Sequence, residues 1–112
     1  YRDADSAARV TGELLDLPNP PTCILYPDDY AAIGGINEIR ERGLRIPEDI
    51  SIVGFDDTWI STLTYPSITT IHQPVQEMCE YAIEAIVKKV KSEKVPSQVV
   101  FPVELIDRES TK

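Results

Sequence analysis

Apolar and polar positions along this chain alternate between two rhythms. Ala7, Val10, Leu14 and Leu17 recur at intervals of three, four and three residues, which predicts one face of a helix, and Asp5 or Ser6 is placed to cap it. Pro18-Asn19-Pro20-Pro21 ends that helix in a stiff connection. Thr22-Cys23-Ile24-Leu25-Tyr26 is an apolar run of strand length, closed by Pro27-Asp28-Asp29. Asp28 or Asp29 can cap a second helix over 29–42, with Ala32, Ile33, Ile36 and Ile39 on one face. Gly43 stands where a left-handed C-terminal cap belongs, and Pro47 follows. Ile50-Ser51-Ile52-Val53 then reads as a strand buried on both faces, and it breaks abruptly into Gly54-Phe55-Asp56-Asp57. This strand–helix–strand unit has the length of a right-handed parallel crossover, and each strand ends in a pair of acids.

The second half has a different texture. Residues 58–65 hold Trp59, Ile60, Leu63 and Tyr65 among four Thr or Ser residues, without a clear period, and read as a loop with one helical turn. Ile68 to Gln73 alternates like a strand. The clearest helix runs from Pro74 to about Lys94, with Val75, Cys79, Ala82, Ile86 and Val90 on one side. Its Glu77, Glu80 and Glu84 come early and Lys88, Lys89 and Lys91 late, as the helix dipole favours. Residues 97–106 form a last extended segment, edge-like or bent because it contains Pro102. The pattern therefore specifies an α/β fold with a parallel sheet. Only two acid-tipped strands are present where a doubly wound sheet needs several, so a piece of a longer protein is expected.

Composition narrows the function. A net charge of −8, from 19 acids against 11 Lys plus Arg, argues against DNA binding by this chain itself, because phosphate neutralisation requires a basic face. No apolar run approaches the roughly 20 residues of a membrane span, and there is no signal-peptide pattern, so a cytoplasmic location with no membrane partner is expected. Cys23 and Cys79 sit in apolar segments without a CxxC spacing and read as free, buried thiols.

Enzyme chemistry finds little support. The only His, His72, lies in a strand-like segment without a nucleophile elbow, and Gly34-Gly35 falls inside a helix instead of a phosphate loop. A receiver-type phosphoacceptor would use acids at strand ends together with a Lys at another strand end. All five lysines lie at Lys88 or beyond. No cofactor and no metal are expected.

Several motifs in order carry a family resemblance. These are Pro21 to Asp29 followed by Ala32 and Gly34, the run from Gly43 to Asp57, Pro66-Ser67-Ile68-Thr69-Thr70-Ile71-His72-Gln73-Pro74, and the closing Arg108-Glu109-Ser110-Thr111. Together they resemble the effector-binding domain of lactose-repressor/galactose-repressor transcriptional regulators, over essentially the whole chain. The resemblance implies a periplasmic-binding-protein-like, two-lobed sensor in which a small effector, a sugar or sugar derivative, sits between lobes. Closure then controls the operator affinity of a helix-turn-helix headpiece that this chain lacks. By that analogy residues 1–73 belong mainly to the C-terminal lobe, helix 74–95 crosses to the N-terminal lobe, and 96–112 return. The closest rival is a sugar-binding protein of a transport system with the same architecture.

The family's effector-contacting Asp falls on Asp56, its Asn on Asp28, and its polar crossover residue on Gln73. An Asp in place of the Asn is a departure. Carboxylates suit a sugar because they accept from vicinal hydroxyls, and Trp59 or Tyr30 could cover a sugar ring. Plainer roles compete. One of Asp28 and Asp29 is expected to be a helix cap, Asp57 to organise its own loop, Gln73 to be a polar hinge residue, and Trp59, Leu63 and Tyr65 to fill a core or interface. The resemblance also implies a homodimer. Its interface is expected on the small-residue side of helix 29–42 (Ala31, Ala32, Gly35) together with Trp59, Leu63 and Tyr65.

Overall fold

The computed structural model describes residues 3–112. The chain divides into two compact units: one runs up to His72 and is completed by Leu105–Lys112, and the other is Gln73–Glu104.

In the first unit, α1 (Ala4–Leu15) is capped by Asp3, whose Oδ1 accepts from the Ser6 N–H at 2.8 Å. The cap is thus two residues earlier than the nearer of the two expected positions, since any Asp or Ser before the helix can do this locally. The rotation of α1 also differs from its apolar pattern. Thr11 and Gly12 are buried, while Val10 and Leu17 are exposed. Two features outside the helix explain this. Thr11 Oγ1 hydrogen-bonds Tyr26 Oη at 2.8 Å in the interior, and Gly34 of the next helix lies directly against the Ala4 backbone.

Chain reversal brings β1 (Cys23–Leu25) beside β2 (Ser51–Val53), in parallel, with Ile24 opposite Ile52. Between them α2 (Asp29–Glu41) starts at Asp28, whose Oδ1 accepts from the Ala31 N–H at 2.8 Å. It ends in a Schellman motif. The Leu44 N–H donates to Ile39 O, the Gly43 N–H donates to Arg40 O, and Gly43 has φ +75°. Parallel pairing continues from β2 to β3 (Thr70–His72) through bridges Val53–Thr69 and Asp56–His72, so β2 lies between β1 and β3. β3 is also paired with β4 (Glu104–Ile106).

The core is Ile24, Tyr26, Ala31, Ala32, Ile36, Ile39, Ile50, Ile52 and Ile68. Each fully buried isoleucine contributes about 1.5–3 kcal/mol relative to exposure. The C-terminal segment is laced into this core through polar groups. Buried Ser110 donates its hydroxyl to Ile52 O and accepts from the Thr69 N–H, at 2.7 and 2.8 Å.

The small-residue face of α2 is used up inside this unit. Ala31 and Ala32 are fully buried core residues, and a β-carbon on Gly35 would overlap Tyr26 Oη. Ala31, Ala32 and Gly35 are therefore not available to a second copy, because α1 and Tyr26 make the close approach that these small side chains permit. The cysteine expectation is corrected as well. Both thiols are free, but Cys23 and Cys79 are exposed. Cys23 falls on an exposed position of β1, and Cys79 lies on a helix with no buried residue.

In the second unit, α3 (Val75–Val90) follows Pro74 as N-cap and stops short of Lys94. Its Val75, Met78, Ile83, Ile86, Val87 and Val90 are exposed. Tyr81 packs edge-to-face on Phe101 with ring centroids 5.8 Å apart.

Candidate functional site

The carboxyl ends of β1 and β2 form one edge of the first unit, and the two acidic pairs sit there. Each acid has a different position. Asp28 is 7% exposed and spends one oxygen on capping α2. Asp29 is fully buried: Oδ2 accepts from the Thr58 N–H and hydroxyl at 2.6 and 2.8 Å, and Oδ1 accepts from the Thr70 hydroxyl at 2.6 Å. It joins α2 to the loop after β2 and to β3. Gly54 is required beneath it, because a β-carbon there would overlap Asp29 Oδ1.

Asp56 and Asp57 follow β2 in a backbone turn with φ +96° and +50°. Two successive non-glycine residues at positive φ cost of order 1–3 kcal/mol each and persist only where their surroundings hold them. Here the Asp56 N–H donates to Ile71 O at 2.9 Å, and the Thr58 N–H is held by Asp29. The Asp57 carboxylate was expected to serve its own loop. Instead it reaches outward, accepting from Arg108 Nη2 at 2.6 Å and meeting His72 Nδ1 at 2.9 Å. Burial alone would raise the Asp57 carboxyl, but the hydrogen bonds from Arg108 and then His72 hold it below its ordinary value. Arg108 is itself fixed, donating through Nη1 to Ser61 Oγ and Ile68 O at 2.9 Å each.

The fold thus brings Asp28 and Asp56 to the ends of adjacent parallel strands. Trp59 opens a 3-10 turn (Trp59–Thr62) beyond Asp57 and is 68% exposed. Gln73 is the first residue of the second unit and is partly buried. Sequence reasoning passed over Asp29 as a hub and Arg108 as the partner of Asp57. The Arg-Glu-Ser-Thr motif was the one available signal for the latter.

Two concavities of the first unit lie elsewhere. One, of about 490 Å³, is lined by residues such as Arg40, Arg45, Tyr65 and Glu109. The other, of about 210 Å³, lies between α1 and β1. Neither is lined by Asp28, Asp56 or Trp59. Chemistry marks the strand-end edge as the candidate more firmly than concavity does. Open α/β sheets bind ligands outside the carboxyl ends of their strands, and this edge carries the acids there.

Parallel strands, a covering helix layer and acids at the strand ends define an α/β ligand-binding domain. The family described as periplasmic binding protein-like domain matches residues 1–111, and the chain belongs to it. Its relatives are lactose-repressor/galactose-repressor regulators. It is 35% identical over 106 residues to the probable HTH-type transcriptional repressor ExuR of Bacillus subtilis (strain 168), covering 90% of this chain and 32% of that protein. It is 34% identical over 109 residues to the HTH-type transcriptional repressor CytR of Escherichia coli (strain K12), covering 96% and 32%. Among solved structures, a LacI family transcriptional regulator from Bifidobacterium animalis subsp. lactis matches with a TM-score of 0.92 at 32% identity, over 97% of this chain and 40% of that one. The lac repressor dimer bound to operator and the anti-inducer ONPF matches with a TM-score of 0.90, also at 32% identity, over 97% and 38%. The chain spans about a third of the length of the curated relatives it matches.

Proposed function

We propose that this chain is the effector-sensing and dimerising part of a sugar-responsive transcriptional repressor, and that its role is binding and not catalysis. The observation that carries this reading is the placement of Asp28 and Asp56 at the ends of adjacent parallel strands, in a chain whose relatives are repressors. Asp56 accepts hydrogen bonds from effector hydroxyls. Asp28, with one oxygen committed to its helix, offers the other. Trp59 covers the ring. Because both acids only accept, they favour a hydroxyl-rich sugar or sugar derivative over an anion. In the full-length protein, residues 1–73 belong to the C-terminal lobe, helix 74–95 crosses to the N-terminal lobe, and 96–112 return. Operator DNA is reached through a helix-turn-helix headpiece elsewhere in the polypeptide, in the cytoplasm. A homodimer contact through Trp59, Leu63 and Tyr65 brings two headpieces to one palindromic site. The transport-protein alternative is disfavoured by relatives that are named repressors.

The test is calorimetric titration of the full-length protein with D-glucose, D-galactose and D-ribose. We expect at least one to bind and Asp56→Ala to weaken that binding by about 1–3 kcal/mol or more. Wild-type affinity in the Asp56→Ala variant would move the site off this edge.

A further inference from the structure

We infer that Arg108 is a positioning residue for the effector edge, acting through Asp57 to fix the backbone turn that aims Asp56. The inference rests on the reading that Asp56 contacts effector, and it adds a role for the C-terminal segment.

Four observations converge on it. The turn at Asp56 and Asp57 is strained, with both residues at positive φ. Such a turn holds one geometry only while outside contacts hold it. The Asp57 carboxylate supplies such contacts on both oxygens, to Arg108 and to His72. Those two partners also have a particular place in the chain. His72 is the last residue before the chain leaves the first unit, and Arg108 lies in the segment that re-enters it at Leu105. Asp57 thus ties the end of β3 and the segment after β4, both within the first unit, to the residue next to Asp56. Arg108 is finally anchored by more than charge. Its own N–H donates to Thr69 Oγ1 at 2.9 Å, and its second guanidinium nitrogen is spent on Ser61 and Ile68. The planar fork reaches all three partners at once, which one ammonium cannot do.

The experiment follows amide hydrogen exchange in the full-length protein, comparing wild type with Arg108→Gln, Arg108→Lys and Asp57→Asn. The readout is exchange at Asp56, Asp57 and Thr58 relative to Ile52 and Ile24 in the core. Losing a charge-assisted hydrogen bond to the turn should speed local exchange by about tenfold or more in Arg108→Gln and Asp57→Asn, with the core amides unchanged. Arg108→Lys should restore part of the protection. Unchanged exchange at the turn overturns the proposal. So does an equal rise at turn and core, which would mean Arg108 only stabilises the fold, and so does full rescue by Lys, which would mean that charge alone suffices. The exchange pattern requires no bound sugar. A sugar panel that fails to bind thus counts against the effector reading and leaves the positioning result standing. A sugar that binds should lose affinity in Arg108→Gln as it does in Asp56→Ala.

Discussion

Removing the Asp29 carboxylate should be among the most damaging single changes in the first unit, although Asp29 touches no effector in the reading above. The side chain is fully buried and accepts three hydrogen bonds, two from Thr58 and one from Thr70, itself fully buried. In Asp29→Ala the Thr70 hydroxyl loses its acceptor in the interior, a cost of about 1–3 kcal/mol, and the partly buried Thr58 N–H loses a charge-assisted bond of similar size. The Thr58 hydroxyl can rotate elsewhere and adds little. The expected loss is about 2–6 kcal/mol, a large share of the 5–15 kcal/mol that a domain has. Asp29→Asn is the informative control. Its carbonyl oxygen can still accept from Thr58, and its amide can donate to the Thr70 oxygen, so the losses are charge assistance and the acceptor of the Thr70 hydroxyl hydrogen, about 1–3 kcal/mol. Urea denaturation followed by circular dichroism, with the slope checked for two-state behaviour, measures both. The account is wrong if Asp29→Ala lies within about 1 kcal/mol of wild type, or if Asn is as harmful as Ala.

Two glycines separate space from backbone conformation. Gly35→Ala should cost well over 1 kcal/mol through overlap with buried Tyr26, whereas Gly43→Ala, with open space around its β-carbon but φ +75°, should cost about 1 kcal/mol, with both read from thermal midpoints. The Asp57 carboxyl is held below its ordinary value, so its contribution to stability is complete above about pH 4 and is lost as pH falls through the lower folded value. Wild type should therefore exceed Asp57→Asn in stability above that pH, and the two should converge in acid titrations. A gap that stays constant down to acid pH would refute the pairing. In the full-length protein, Trp59→Ala with Leu63→Asp should shift sedimentation toward monomer at micromolar concentration. Both side chains are 68% exposed, and equal dimerisation of variant and wild type would place the interface elsewhere.

What the sequence determined by itself was local. The strand–helix–strand unit, a cap of α2 at one of Asp28 and Asp29, Gly43 in the left-handed position and the single turn after Asp57 all depend on groups close in the chain, where capping and periodicity act. The family motifs pointed to the candidate edge because they mark strand ends, which are also local features. Tertiary structure alone decided how the four acids divide their work. Asp28 and Asp29 are identical in type and adjacent, yet one caps a helix and the other joins three elements, because Thr58 and Thr70 arrive from 29 and 41 residues away. Asp57 was assigned to its own loop because no local pattern announces Arg108, which is 51 residues distant. The rotation of α1, the inward-facing small residues of α2 and the exposure of Cys23 belong with these. Periodicity reports that a helix has an apolar stripe, but which neighbour meets that stripe, and which small residues admit its backbone, is settled only when distant segments pack.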